Sequence, residues 1–96
     1  MSEMNREEFT MTVRCPLGLH TRPATDIARV LQKCKSRVTF TYKKRSVNAK
    51  SILSLMMLSV PRNGRIHVVL EGEDAKEIKP KLIDVVERSE EEVATS

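Results

Sequence analysis

The sequence predicts an α+β domain, an open-faced two-layer β-sandwich in the order βαββαβα. Its four-stranded antiparallel sheet is covered on one face by three helices. Three observations lead there. Apolar and polar residues alternate cleanly in the strand segments, so one sheet face is buried and the other wet, which favours antiparallel pairing. Apolar residues recur at helical spacing in the segments between them, and helices that share one buried face make a two-layer fold. The 96 residues suffice for one modest core, so the chain reads as a single domain over 1–96 with an ordered core at about 8–88.

The first strand is expected over Phe9 to Cys15, where Phe9, Met11, Val13 and Cys15 face one way and Thr10, Thr12 and Arg14 the other. Pro16 and Gly18 break it. Ala24, Ile27, Ala28 and Leu31 are the steps of one face of a helix from about Arg22 to about Cys34. Pro23 is tolerated in its first turn, where a missing N–H costs nothing.

A second strand, Arg37 to Lys43, turns Val38, Phe40 and Tyr42 inward. Lys43-Lys44-Arg45 turns the chain into a short third strand near Ser46 to Asn48. A second helix from about Ser51 to about Ser59 follows. In the turn Pro61-Arg62-Asn63-Gly64 the proline presets φ and the glycine supplies a positive one. Arg65 to Glu71 is the fourth strand, with Ile66, Val68 and Leu70 on one face and His67, given no role, on the wet one. Asp74 is placed to cap a third helix carrying Ala75, Ile78, Leu82, Val85 and Val86. Pro80 falls inside that helix, so either the helix kinks there or its regular part starts there. The polar, acidic segment 89–96 is expected to be a frayed tail.

Composition excludes several classes. With 40% apolar and 31% charged residues the chain is globular, and no apolar run approaches a membrane span. Met1 to Glu8 is polar and is no secretory signal, so the cytoplasm is the expected location. Cys15 and Cys34 are isolated, which argues against a disulfide framework and against metal-ligand spacing; no metal or cofactor is expected. The net charge of +4 is weak evidence for nucleic acid, since Phe9, Phe40 and Tyr42 are the only aromatics and offer no stacking platform. A basic excess fits an acidic protein partner equally well.

The run Gly18-Leu19-His20-Thr21-Arg22-Pro23-Ala24 places one histidine on a glycine-led loop at the start of the first helix. Such an end exposes N–H groups without partners and attracts anions. Arg22 adds a charge and a planar fork suited to phosphate oxygens. An imidazole beside an anion cradle can itself take the anion. A helix cap or a plain surface residue is the ordinary alternative for His20.

The second helix carries Ile52, Leu53, Leu55, Met56, Met57 and Leu58 in nearly every direction around its axis. One side faces the sheet, and the remainder is read as an exposed docking patch. Ser51 sits where an N-cap belongs. A phosphate there would be tolerated by the helix end and would place about two negative charges beside the patch.

These two runs, the first at Gly18 to Ala24 and the second at Val47-Asn48-Ala49-Lys50-Ser51-Ile52-Leu53, stand at the separation found in the histidine-containing phosphocarrier (HPr) family of the phosphoenolpyruvate-dependent sugar phosphotransferase system. The chain resembles that family from about Met11 to Val86, including the exit Glu71-Gly72-Glu73-Asp74-Ala75 from the last strand. The resemblance implies that His20 is phosphorylated on Nδ1 by Enzyme I and that Arg22 contacts the phosphoryl group. It implies that Ser51 is the target of a regulatory HPr kinase/phosphorylase. It also implies that Thr21, Ile52, Leu53 and Met56 belong to the surface met by Enzyme I and by the EIIA domains of sugar permeases. The family is monomeric, and its members are carriers with a covalent phosphohistidine rather than free-standing enzymes. Two departures concern turns: Ser59 replaces a usual glycine after the second helix, and Lys43-Lys44-Arg45 lacks one. Pro80 is unusual in the third helix.

Three other classes fit less well. A phosphate-ester hydrolase would want paired carboxylates, a metal cluster or a second catalytic histidine. A regulatory binding module would leave His20 and Arg22 without use, although a carrier serving a regulatory branch instead of sugar uptake would use the same residues. A nucleic-acid binder lacks aromatic support.

Overall fold

A computed structural model describes residues 5–94 and the side chains of residues 5–87. The elements are β1 (Asn5–Thr12), α1 (Thr21–Gln32), β2 (Arg37–Tyr42), β3 (Arg45–Asn48), α2 (Ile52–Met57), β4 (Arg65–Gly72) and α3 (Ala75–Ala94). The expected βαββαβα order holds. The strands lie in the order β1-β4-β2-β3, every neighbouring pair antiparallel. β4 pairs with β1 from Asn5↔Gly72 to Thr12↔Arg65 and with β2 from Arg37↔Glu71 to Thr41↔His67.

Met11, Val38, Phe40, Ile66, Val68 and Leu70 point from the sheet into one core with Ile27 and Leu31 of α1, Leu55 of α2 and Leu82 of α3. His67 stands on the opposite, open face, where its Nε2 lies 2.6 Å from Glu8 Oε2. Arg6, donating to Glu8 Oε1 at 2.7 Å, is the main cause that holds the Glu8 carboxyl below its usual range. Both cysteines are buried and free.

Several boundaries differ from expectation. β1 starts four residues before Phe9, because its first half is held by polar partners instead of apolar alternation. Asn5 Nδ2 donates to the Glu73 carbonyl at 3.0 Å, and Glu7 pairs with Lys79 at 3.6 Å. It also ends at Thr12: Val13 leaves the ladder to exchange hydrogen bonds with Gly64 (2.9 Å) and Asn63 (2.8 Å), although Val13 and Cys15 stay buried. α2 is shorter than the expected Ser51 to Ser59.

In the turn before β4 the left-handed residue is Asn63 (φ +71°), not Gly64. Gly64 is required for room, since a Cβ there would lie 2.6 Å from Val60 Cγ1. Segment 89–94, expected to be a frayed tail, continues α3; Glu and Ala favour helix and no glycine stops it. Residues 95–96 of that expected tail, and residues 1–4, lie outside the described residues. α3 runs through Pro80, whose ring denies a donor to the carbonyl of Lys76, a residue exposed to water.

Asp74 precedes α3 as expected, and its carbonyl accepts the N–H groups of Glu77 (3.1 Å) and Ile78 (3.0 Å). Its carboxylate, however, does not serve its own helix. It accepts the Ser36 hydroxyl and the Lys35 N–H (2.8 Å), clamping the α1–β2 turn to the start of α3. Those two bonds, the hydroxyl first, hold the Asp74 carboxyl below its usual range. Gly72 (φ +154°) lets β4 pass the buried Ser36, whose Cα would sit 2.6 Å from any Cβ at Gly72.

Two non-glycine turns are strained. Lys43 and Lys44 both take positive φ (+47° and +70°) at the tip of the β2–β3 hairpin, and Ser59 takes φ +55° one residue past the C-cap Leu58. A left-handed residue with a Cβ costs about 1–2 kcal/mol.

Ser59→Gly is therefore expected to stabilise the domain by about 1 kcal/mol, read as a rise in Tm of roughly 4–8 °C. Asp74→Ala is expected to cost about 2 kcal/mol at pH 7 in denaturant unfolding. A carboxyl with a depressed pKa stabilises the fold above its unfolded value, near 3.9, and loses that contribution as pH falls through the lower folded value. The gap between wild type and Asp74→Ala should thus close as pH drops below about 4.

Candidate functional site

His20 is the N-cap residue of α1, in extended conformation (φ −106°, ψ −167°), and its carbonyl accepts the Ala24 N–H at 2.9 Å. Its ring makes no capping hydrogen bond, so the ordinary cap role proposed for a histidine here does not describe it. Nε2 is buried and has no partner among the described residues. A buried polar atom without a partner costs about 1–3 kcal/mol and calls for another use.

The loop that holds the ring is short and doubly tied. Gly18 N–H donates to the Cys15 carbonyl (2.9 Å) and Leu19 N–H to the Val60 carbonyl (2.8 Å). Gly18 meets two demands at once: φ is +78°, and a Cβ would lie 2.5 Å from Val60 O and 3.0 Å from Pro61 Cα. Thr21 and Arg22 follow His20 as the first two helical residues, whose N–H groups precede the i→i−4 ladder and point out of the helix end. Pro23, third, is buried. The exposed Arg22 stands two residues from His20 on this end.

α2 lies beside α1. Thr21 Oγ1 reaches Met56 Sδ at 3.8 Å, joining the C-terminal part of α2 to the histidine end. At the other end Gln32 Nε2 donates to the Lys50 carbonyl (3.1 Å) and Lys50 Nζ to the Cys34 carbonyl (3.0 Å). Ser51, just after Lys50, thus lies toward the end of α1 away from His20. Ser51 is the N-cap of α2, its Oγ accepting the Ser54 N–H at 3.2 Å.

The candidate patch is brought to the surface as expected: Ile52, Leu53, Met56 and Met57 are exposed, while Leu55 and Leu58 are buried. The sequence reading missed Leu17, at 75% the most exposed large apolar residue among the described residues, one position before Gly18. Its place between two loop-formers, Pro16 and Gly18, was the available signal. Among the described residues no group of His, Cys, Asp and Glu could hold a metal ion, and no helix is long and apolar enough to cross a membrane.

Comparison with known proteins places this geometry. The sequence pattern of the family described as "PTS HPr component phosphorylation site" matches residues 7–88. The chain is 38% identical to the phosphocarrier protein HPr of Chlamydia muridarum over 73 residues, 76% of this chain and 70% of that protein. It is 35% identical to that of Xylella fastidiosa over 80 residues, 83% and 90% of the two chains. A crystal structure of an HPr from Thermoanaerobacter tengcongensis superposes with a TM-score of 0.83 at 30% identity, covering 88% of this chain and 96% of that one. The chain belongs to the HPr family of phosphocarrier proteins, components of the phosphotransferase system.

Because the loop has no space for a Cβ at residue 18, Gly18→Ala is expected to destabilise the domain by more than about 2 kcal/mol in denaturant unfolding. It should also shift the His20 ring resonances in an NMR spectrum of whatever folded fraction remains.

Proposed function

We propose that this chain accepts a phosphoryl group from phospho-Enzyme I on Nδ1 of His20 and passes it to EIIA domains of the phosphotransferase system. The observation that carries the reading is the His20 ring itself: seated at the start of α1, excused from capping, and buried at Nε2. The family relationship supports it.

The chemistry follows from the geometry. A neutral imidazole has one N–H and one lone pair. With the proton on Nε2, the lone pair on Nδ1 attacks phosphorus while the bond to the donor breaks. Transfer of this kind is mostly positioning and charge stabilisation. The oxygens of the moving group meet the N-terminal N–H groups of α1 and the guanidinium of Arg22. A serine ester would hold the group too firmly to relay it, whereas a phosphohistidine keeps its transfer potential.

Thr21, Ile52, Leu53 and Met56 serve as the docking surface for donor and acceptor. Ser51 is a regulatory phosphorylation site for an HPr kinase/phosphorylase. A phosphate there acts on docking, by setting charge at the border of the apolar patch. The site needs no metal or cofactor, and the protein works in the cytoplasm as a monomer.

Incubation with Enzyme I and phosphoenolpyruvate tests the reading. Wild type is expected to gain one acid-labile phosphoryl group and stop; His20→Ala should gain none. Arg22→Ala should remain folded and react about 10–100-fold more slowly. Ser51→Asp should raise KM for this chain as substrate of Enzyme I. An adduct on another residue in the mass spectrum, or continuous release of phosphate, would overturn the assignment.

A further inference from the structure

The β2–β3 hairpin tip is an unusual piece of this surface. Lys43 and Lys44 both hold left-handed backbone conformations, where Asn-Gly would be relaxed. Strain of this kind persists where a side chain has a use. Both lysines are exposed, and neither is in an ion pair among the described residues.

The tip is fastened to the docking patch. Arg45 Nη1 donates to the Met57 carbonyl at 3.2 Å, at the end of α2 where Met57 is 62% exposed. A cleft of about 280 Å³ joins the two, lined by Tyr42, Lys43 and Arg45 on one side and Leu58, Ser59 and Pro61 on the other. Pro61 and Val60 are the residues that back the histidine loop.

This end of the sheet, where Thr12 meets Arg65 and Tyr42 meets Arg45, is one-signed. Segments 12–22, 42–46 and 59–65 contain no Asp or Glu, yet carry Arg14, Lys43, Lys44, Arg45, Arg62 and Arg65 besides Arg22. Asp26, beyond the first turn of α1, is the first carboxylate after His20.

We infer that Lys43 and Lys44, with Arg62 on the adjacent turn, form a second arm of the docking surface that meets a carboxylate-rich patch on the protein delivering the phosphoryl group to His20. The inference rests on the carrier reading above and adds to it a contact outside α2. An apolar centre with a cationic rim fits a protein with an apolar centre and an acidic rim. Nucleic acid would leave Leu53 and Met57 without use, and the one aromatic ring here, Tyr42, lies under Lys43 Nζ (5.6 Å to its centroid). The six-residue α2 is too short to lie in a lipid surface as an amphipathic anchor.

The test is the double variant Lys43→Asn/Lys44→Gly, whose residues suit the turn, so that its Tm should equal or exceed that of wild type. Its kcat/KM as substrate of Enzyme I should fall about 10-fold at low ionic strength, and the deficit should vanish near about 0.5 M salt, where exposed charges are screened. Lys43→Arg/Lys44→Arg should behave as wild type. Equal rates for the Asn-Gly variant at low salt, or a deficit that persists at high salt, overturn the inference and leave the carrier reading standing. A wild type that takes no phosphoryl group overturns both. Loss of binding to poly(U) RNA, or to phosphatidylcholine vesicles with about 30% phosphatidylserine, with phosphoryl transfer unaffected, would assign the arm to those surfaces instead and overturn it as a protein contact.

Discussion

One backbone contact organises the site: the approach of Gly18 and Leu19 to Val60. The Leu19 N–H reaches the Val60 carbonyl at 2.8 Å, and it can do so only because residue 18 has no Cβ to strike that oxygen. Through this bond the histidine loop is registered against the segment leaving α2. The same segment is held from its other side by Gly64, which leaves room for the Val60 side chain. His20 is consequently positioned by backbone groups on two sides, while its ring makes no capping bond and its Nε2 has no partner among the described residues. In the proposed reaction such a ring keeps its lone pair available, because the groups that fix the loop do not consume it.

Strain and charge are distributed with some consistency around that contact. The positive-φ residues with side chains, Lys43, Lys44, Ser59 and Asn63, all fall in the turns at the histidine end of the sheet. At the opposite end the backbone is relaxed differently: Gly72 passes the buried Ser36, and Asp74 gathers the Ser36 hydroxyl and Lys35 N–H. Satisfied polar clamps thus close the end away from His20. The histidine end keeps exposed cations, which favour solubility, beside exposed apolar side chains, and a patch of such side chains marks a surface suited to contact with another molecule.

The layered fold and the place of His20 at the start of α1 were readable in the sequence because both depend on local patterns. Alternation through Val38 and Phe40 and through Ile66, Val68 and Leu70 marks a half-buried strand wherever it occurs. The glycine, histidine and proline of the first motif mark a loop entering a helix in the same local way. What could not be read depends on contacts distant in sequence. Asn5 to Glu8 forms a strand because Glu73 and Lys79, some seventy residues on, supply partners. The Asp74 carboxylate turns away from its own helix because Ser36 and Lys35 arrive beside it. Asn63 takes the left-handed position because Gly64 is reserved for space against Val60.

The placement of Ser51 has a consequence for control. α1 and α2 run side by side with Thr21 against Met56 at one end and Gln32 against the Lys50 carbonyl at the other, so His20 and Ser51 lie toward opposite ends of a single surface. In the proposed role, any partner large enough to reach His20 while covering Leu53 and Met56 must also pass close to Ser51. A phosphate on Ser51 would then place its charge in the path of docking while leaving untouched the backbone ties that hold the histidine loop to Cys15 and Val60.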